Sequence, residues 1–274
     1  MRAPLIADLD LERIAALGWQ APDTAHLGGW LLRAAGGFTG RANSVLPLGD
    51  PGVPLDDALD QVRDWYARRG LSGLVVVPEP SRSDLAAALA DRGATDAAAP
   101  VAVMVAPVDG VRVEAAGDHD IEVVRHPEAA WLARFADYRG VDRLAPVVGD
   151  VLTRGDVAFG QVKVDGEVVG IGRAAVAEGW VGLTAVSVDG AHRRRGIARA
   201  VAGALVRWGA GRGGRDVYVQ VTSTNEPALG MWRRLGFVDH HTYRYLTLPG
   251  WVSPRPPPTG RTRRRAAGPQ PPAG

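Results

Sequence analysis

The sequence predicts an α/β (α+β) fold built on a mixed, mostly antiparallel central sheet. Three observations lead to this prediction. Short runs rich in β-branched residues alternate with segments whose apolar residues recur at helical spacing. Tight turns at Asp165-Gly166 and Glu178-Gly179 join three strands into an antiparallel meander. The last of these strands leads through a glycine-containing turn into a helix, and the 274 residues suffice for two such units.

In the first half, the periodicity predicts the following elements in order: a helix over 9–17, two strands within 28–48 joined by a glycine-rich turn, a helix over 55–69, a strand over 74–77, a helix from an N-cap at Ser81 to Arg92, and a strand over 100–108. Residues 109–120 are polar and glycine-containing, which is typical of a linker. We therefore expect the first domain to span residues 1–108.

In the second half, the predicted elements are a strand over 121–124, helical stretches over 127–138 and 141–152, the meander over 157–164, 168–176 and 180–188, a helix from Ile197, a strand over 217–220, a helix capped by Asn225 and a strand after Phe237. This domain spans residues 121–249. The order from the strand at 183 to residue 248 repeats the order of the first half, which indicates an internal duplication.

Composition narrows the class of protein. The chain is 46% hydrophobic and 23% charged, as in soluble globular proteins, and it contains no cysteine, which excludes disulfides and thiolate chemistry. Acids occupy the N-terminal region where a signal peptide needs an apolar run, and no stretch reaches membrane-spanning length, so we expect a cytoplasmic protein. No metal site is predicted.

The positive charge is a property of the C-terminus. Residues 250–274 contain five arginines and no acid, so the net charge of +2 for the whole chain leaves −3 for the rest. A nucleic-acid partner is therefore not expected. Prolines, glycines and arginines without an apolar run predict that this segment is a disordered tail.

The turn between the strand 183–188 and the following helix, residues 193–198, is called here the anion loop. Backbone N–H groups at a helix N-terminus lack intrahelical partners and favour negative charge, and Gly196 allows the main chain to approach a ligand closely. A pyrophosphate fits this environment. An exposed basic turn that only solubilises the helix start is the alternative, and spacing alone does not separate the two.

The Arg-x-x-Gly-x-Ala pattern of the anion loop after a buried strand resembles the acetyl-CoA pyrophosphate signature of the Gcn5-related N-acetyltransferase (GNAT) superfamily. The segment 225–237, an Asn-capped helix ending in Gly-Phe, is similar to the second cofactor motif of that family. The resemblance covers residues 120–248 and implies a GNAT fold, with the first half a degenerate GNAT-like domain. In that half, prolines in the turn at 49–54 remove backbone donors, so we do not expect it to bind CoA.

The resemblance implies an acetyl-CoA-dependent N-acetyltransferase in which an amine attacks the thioester directly. The pantetheine would lie along the strand backbone at Val186 and Val188, and the Val186 N–H would polarise the thioester carbonyl. Asn225 would hold the amide region of the cofactor while capping its helix. The expected pyrophosphate contacts are Arg193, Arg194, Arg195, Gly196, Ile197, Ala198 and Arg199.

The proton-transfer groups are less well specified. Where many GNAT enzymes have a tyrosine that protonates the departing thiolate, this chain has Trp232, whose indole can solvate sulfur but is not an acid near neutral pH. Water, Tyr243 or Tyr138 would then supply the proton. Glu178 is the candidate general base, acting through water, and His192 and Asp189 are the alternatives.

The stretch 29–44 resembles a segment of two-domain bacterial GNAT proteins that include a type named N-acetylglutamate synthase. This implies a small-molecule acceptor, such as the α-amine of glutamate, whose carboxylates would face Arg33 or Arg41. Two other functions stay open: a protein or peptide N-acetyltransferase, and a CoA-binding regulatory protein that has lost catalysis. The sequence does not indicate an oligomeric state.

Overall fold

A computed structural model describes residues 4–112 and 119–251. The elements of the first half are α1 (Asp8–Gly18), β1 (Asp23–Leu27), β2 (Trp30–Ala34), β3 (Leu46–Pro47), α2 (Leu55–Ala67), β4 (Val75–Glu79), α3 (Ser83–Ala90), β5 (Thr95–Asp96) and β6 (Val101–Pro107). Those of the second half are β7 (Ile121–Val124), α4 (Ala129–Arg139), α5 (Pro146–Thr153), β8 (Asp156–Val164), β9 (Glu167–Ala177), β10 (Trp180–Val188), α6 (Ile197–Ala210), β11 (Asp216–Thr222), α7 (Glu226–Arg234) and β12 (Val238–Thr247).

The two halves share one sheet. Its strand order is β4-β12-β6-β11-β10-β9-β8-β7, with β5 beside β12. The last strand of the first half, β6, therefore lies between β11 and β12, and β12 lies between β4 and β6. The pair β10–β11 is parallel and the other named pairs are antiparallel, which confirms the predicted mixed, mostly antiparallel sheet. The predicted division into a first domain over residues 1–108, a linker over 109–120 and a second domain over 121–249 stays a prediction.

The sheet is covered on both faces because side chains alternate along β11. Val217 and Val219 pack in a core with α6, whereas Tyr218 between them packs with α1. Helix α6 approaches the sheet closely at Gly172, where a Cβ atom would lie 2.8 Å from Val201 Cγ1. Val201 is fully buried there, and such burial stabilises by roughly 1.5–3 kcal/mol.

Residues 23–47 form a separate three-stranded antiparallel sheet, β1-β2-β3. The predicted pair of strands in this stretch corresponds to β2 and β3, and β1 was not predicted. The loop between β2 and β3 is held by Asn43, whose Oδ1 accepts hydrogen bonds from the N–H groups of Ala35 and Gly37 at 2.8 and 2.9 Å. Asn43 thereby fixes the loop that carries Arg41.

The structure corrects two details. Ser81 does not cap α3, which begins at Ser83; its Oγ instead donates a hydrogen bond to Asp8 Oδ2 at 2.6 Å. Trp251 does not belong to an unpacked tail, since it is only 9% exposed and packs in the core of the first half beside Leu246. The remainder of the predicted tail and half of the predicted linker, residues 113–118, lie outside the described residues. Within those that are described, no helix has the length and apolar content needed to cross a membrane.

Candidate active site

The anion loop has the backbone geometry of a close-approach turn. Gly196 has a φ of 85° and precedes the first residue of the 14-residue helix α6, and Arg194 also has a positive φ, 63°. The loop is tied back to β10 by Arg193 Nε, which donates to the carbonyl of Val188 at 3.3 Å. The N–H groups of Ile197 and Ala198 stand in the first turn of α6, where an anion is favoured. This geometry fits the predicted pyrophosphate contacts.

Strand β10 separates from β11 halfway along its length. The two strands pair from Trp180 to Leu183, whose partner is Val219, and no further pairing is present in the described part of the chain. A register shift against β9 follows between Thr184 and Ser187, with Ala185 at a φ of 55°. Such a bulge bends the strand and leaves backbone groups unpaired. Of the predicted pantetheine contacts, Val186 lies within this bulge and Val188 lies directly beyond it.

Thr184 gives a second indication of a ligand at this point. It is 8% exposed, and its Oγ1 has no hydrogen-bond partner among the described residues. A buried hydroxyl without a partner costs free energy, so such a group is expected to meet a ligand or water. The opening between β10 and β11 fits an extended polar chain such as pantetheine.

Asn225 lies at the same edge of the sheet as the anion loop. The strands β10 and β11 are parallel, the anion loop follows the C-terminal end of β10, and Asn225 follows that of β11. Its Oδ1 accepts a hydrogen bond from the Ala228 N–H at 3.3 Å and caps α7. The predicted cap is confirmed. The role of Asn225 toward the cofactor amide stays a prediction.

Trp232 is a core residue. It is 4% exposed and packs edge-on against Phe237, with 5.1 Å between ring centroids, in the cluster that contains α6. Its predicted contact with the cofactor sulfur stays a prediction. Of the two phenols proposed as thiolate acids, Tyr243 is buried, which raises its pKa well above 10, and Tyr138 is half exposed at the end of α4. A raised pKa makes Tyr243 a poor proton donor.

Glu178 is not brought to the other predicted site residues. It lies in the turn before β10, at the end of that nine-residue strand opposite to the anion loop, roughly 25–30 Å away. Its carboxylate accepts two hydrogen bonds from Arg13 at 2.7 and 2.6 Å, which lower its pKa. Its distance from the anion loop and its pairing with Arg13 argue against the predicted role of general base.

Asp189 and His192, the alternative bases, do lie near the anion loop but serve the turn itself. Asp189 Oδ1 accepts a hydrogen bond from the Ala191 N–H at 2.9 Å, and this bond is the main reason that its pKa is lowered. His192 Nδ1 is 3.5 Å from the same carboxylate. The turn accounts for Asp189, whereas His192 Nδ1 is buried without a hydrogen-bond partner among the described residues.

Arg33 and Arg41, predicted to bind the acceptor, converge on one cavity on the α1 face of the sheet. Its volume is about 10 Å³, roughly the room of one water molecule, and it is partly open to solvent. The lining residues of this Arg33–Arg41 cavity are Glu12, Ala15, Ala16, Trp19, Arg33, Arg41, Val76, Gln220, Tyr243 and Tyr245. Gln220 directly follows Val219, the last residue of β11 paired with β10, so the cavity begins where the two strands separate.

The two arginines are held differently. Arg33 is buried, and it donates from Nε to the Ser44 carbonyl at 3.1 Å and from Nη2 to Ser44 Oγ at 2.9 Å. Burial lowers the pKa of Arg33. Arg41 lies over the Trp19 ring, 4.8 Å from its centroid, and donates to Gln220 Oε1 at 3.0 Å. Two guanidinium groups in one cavity attract a carboxylate or another anion.

Glu12 is the acid of this cavity, and sequence reasoning missed it. It is 4% exposed, and its Oε1 lies 3.1 Å from the donor Gln220 Nε2 and 3.2 Å from His241 Nε2. The sequence did contain a signal. Glu12 stands one turn before Ala15 and Ala16, on the helix face that α1 buries, where an unpaired acid is costly.

Beside Glu12, three further side chains come together at the start of α1. Asp8, His240 and His241 each place one possible ligand atom within 4.8 Å of the others. That spacing could suit a cation. Their ring nitrogens are engaged in hydrogen bonds with one another, with Glu12 and with the Ile6 carbonyl.

Comparison with known proteins supports the same fold and chemistry. The family model for the C-terminal region of the probable histone acetyltransferase Rv0428c matches residues 8–246. The chain is 32% identical over 252 residues to that protein of Mycobacterium tuberculosis, covering 88% of this chain and 74% of that protein. It is 25% identical to the uncharacterized N-acetyltransferase YobR of Bacillus subtilis, covering 85% of this chain and 96% of that protein.

Solved structures share the fold at lower identity. A GCN5-related N-acetyltransferase from Kribbella flavida superposes with a TM-score of 0.66 at 17% identity, covering 89% of this chain and 96% of that one. A tandem GNAT protein from the clavulanic acid biosynthesis pathway gives 0.57 at 15% identity, covering 90% and 89%. The chain therefore belongs to the family of the Rv0428c C-terminal region, within the GNAT superfamily of N-acetyltransferases.

Proposed function

We propose that this protein transfers the acetyl group of acetyl-CoA to the primary amine of a small amino-carboxylate, such as the α-amine of glutamate, bound at the open side of the Arg33–Arg41 cavity. The observation that carries the proposal is the composition of that cavity. Glu12 offers a carboxylate for an ammonium group, while Arg33 and Arg41 offer guanidinium groups for carboxylates. A zwitterionic acceptor is complementary to this arrangement.

The donor side is supported by the anion loop and the opening between β10 and β11. The pyrophosphate would meet the N–H groups at the start of α6, and the pantetheine would pair with β10 beyond the bulge. The thioester carbonyl would accept a hydrogen bond from the Val186 N–H, which stabilises the oxyanion as the amine attacks. Val186 lies three residues past Leu183, roughly 10 Å along the strand from the last β11 pair.

A second function, protein acetylation, is favoured by one observation: the relative Rv0428c carries the name of a probable histone acetyltransferase. A peptide would need an open groove, whereas the Arg33–Arg41 cavity is small and partly enclosed. In addition, two arginines in the cavity repel a lysine-rich peptide. These features favour the small acceptor.

The test is thiol release from acetyl-CoA across amino acids including glutamate, polyamines, aminoglycosides and histone-tail peptides. We expect release with one or more amino-carboxylates and none with the peptides. Release with peptides alone would establish the second function. Tight acetyl-CoA binding without release for any acceptor would instead identify the regulatory, non-catalytic reading.

The matched variant is Arg41→Gln, which keeps a polar group beside Gln220 but removes the charge. Loss of a charged hydrogen bond is worth about 1.5–3 kcal/mol, so the acceptor KM should rise about 10–100-fold with acetyl-CoA affinity unchanged. Arg63→Gln, on the exposed face of α2, is the control and should leave both constants unchanged. An unaltered acceptor KM for Arg41→Gln would remove the cavity from the proposal.

A further inference from the structure

A continuous chain of hydrogen bonds leads from the Arg33–Arg41 cavity toward the surface. It runs from Glu12 Oε1 to His241 Nε2 at 3.2 Å, from His241 Nδ1 to His240 Nδ1 at 2.8 Å, and from His240 Nε2 to the carbonyl oxygen of Ile6 at 3.1 Å. We call it the Glu12–His chain. Glu12 and His241 are buried, while His240 is partly exposed.

A bulge in β12 makes this chain possible. Neighbouring residues of a strand normally point to opposite faces, so adjacent histidines would not meet. The register of β12 against β6 shifts between Asp239 and His241, which leaves His240 as an extra residue. The shift turns both imidazoles toward α1, with their ring centroids 5.0 Å apart. Bulges re-aim side chains in this way next to functional sites.

Counting hydrogens shows that the chain holds an additional proton. The Ile6 carbonyl can only accept, so His240 Nε2 carries a hydrogen. The gap between the two Nδ1 atoms needs one hydrogen, and so does the gap between His241 and Glu12. These three gaps need three hydrogens. Two neutral imidazoles supply only two, and an ionised Glu12 supplies none.

With Glu12 ionised, as a general base must be, the additional hydrogen belongs to the histidine pair. The amide of Gln220 donates to the same Glu12 oxygen, and the guanidinium groups of Arg33 and Arg41 line the same cavity. On its other side, His240 Nδ1 lies 3.6 Å from Asp8 Oδ1, and Asp8 also accepts from Ser81. The remaining titratable groups that line the cavity beside Glu12 are the phenols of Tyr243 and Tyr245.

We propose that Glu12 is the general base of acetyl transfer and that His241 and His240 carry the proton from the cavity to water. In the transfer step an N–H bond of the bound ammonium breaks, Glu12 Oε2 gains that proton, and nitrogen keeps the electron pair with which it attacks the thioester. The C–N bond forms, the C–S bond breaks, and the departing CoA thiolate takes the second proton of the attacking nitrogen through water, which leaves the amide and CoASH. His241 simultaneously passes its Nδ1 proton to His240 Nδ1, and His240 releases a proton to water. One proton enters the Glu12–His chain from the amine and one leaves it to solvent, so the number of hydrogens in that chain is unchanged.

This inference rests on the proposed function, and its first test is independent of any acceptor. Long-range ¹H–¹⁵N correlation spectra of the full-length protein labelled in histidine report which ring nitrogens carry hydrogen. From the hydrogen count we expect hydrogen on both ring nitrogens of His241, and the assignment follows from the signal lost in His241→Asn. A neutral His241, or a metal ion bound stoichiometrically by these histidines, would overturn the proposal.

The second test uses acetyl transfer to acceptor amines that differ in pKa. Glu12→Gln should lower kcat/KM about 10²–10³-fold for amines that are protonated at the assay pH, and His240→Asn should lower it less because only the outer link is lost. For amines that are already neutral the deficit should largely disappear, since no proton has to be removed. A deficit that is equal for all amines would mean that Glu12 only binds the acceptor.

Two controls keep these outcomes distinct. His26→Asn changes an exposed histidine on β1 and should leave the rate and the spectra of the other histidines unchanged. Acetyl-CoA affinity and thermal stability of each variant show that it is folded. If peptides prove to be the acceptors, the proposed small-molecule function fails, yet the same amine comparison with lysine analogues of lower pKa still decides the role of Glu12.

Discussion

At the scale of the residue, Gly196 decides whether the anion loop can receive a phosphate. Its φ of 85° lies in the left-handed region that β-branched residues rarely adopt, and the space around its missing side chain is otherwise open. We predict that Gly196→Val weakens acetyl-CoA binding at least about tenfold while the fold survives, since such strain costs about 1–3 kcal/mol. Isothermal titration with acetyl-CoA measures this, and unchanged affinity would remove the loop from the cofactor site.

Trp232 combines a packing role that the structure shows with a cofactor role that we predict. Trp232→Tyr keeps an aromatic ring against Phe237 and adds an ionisable hydroxyl, so it should preserve or raise kcat. Trp232→Ala leaves a cavity in the core and should lower the free energy of unfolding by about 3–5 kcal/mol. Turnover and chemical denaturation measure the two effects. Loss of turnover in Trp232→Tyr with acetyl-CoA still bound would show that the indole positions the thioester.

At the scale of the element, Arg173 on β9 joins the ends of two helices. It is buried and donates to the carbonyl of Gly18, at the end of α1, at 3.0 Å and to that of Leu152, in α5, at 2.7 Å. Burial lowers its pKa to about 9, and no carboxylate is paired with it in the described part of the chain. These carbonyl contacts position α1, which carries Glu12.

We predict that Arg173→Met lowers the free energy of unfolding by roughly 2–4 kcal/mol, because it leaves two or more buried carbonyls without donors. Acceptor KM should rise as well, since α1 loses its C-terminal attachment, whereas acetyl-CoA affinity should change little. Urea denaturation and steady-state kinetics give the three values. If stability falls but acceptor KM stays constant, α1 is held in place by its apolar face alone.

At the scale of the whole molecule, the interleaved sheet makes each half depend on the other. Without residues 1–112, β11 and β12 lose β6 between them and expose unpaired strand edges. We predict that residues 113–274 alone do not unfold cooperatively, and that co-expression with residues 1–112 restores folding and acetyl-CoA binding. Calorimetry of the single and combined fragments tests this. A single fragment that unfolds with the midpoint of the full chain would contradict it.

The sequence by itself determined the features that depend on near neighbours. The meander β8–β10, the turn at Gly196 and the capped start of α7 follow from local periodicity and turn chemistry, so their positions were predicted to within a few residues. The cofactor motifs were found by their resemblance to a known family, because each motif is a short contiguous segment. Arg33 and Arg41 were selected by residue type in one such segment.

Only the tertiary structure decided what depends on distant parts of the chain. Glu12 and His241 are 229 residues apart, and Arg41 and Gln220 are 179 apart, so no local pattern reveals their pairing. The placement of β6 between β11 and β12 also depends on distant parts of the chain, because the sequences of apolar strands of similar length do not indicate which strands pair. The bulges in β10 and β12 depend on the neighbouring strands, and they set where the sheet opens and which way the histidines point.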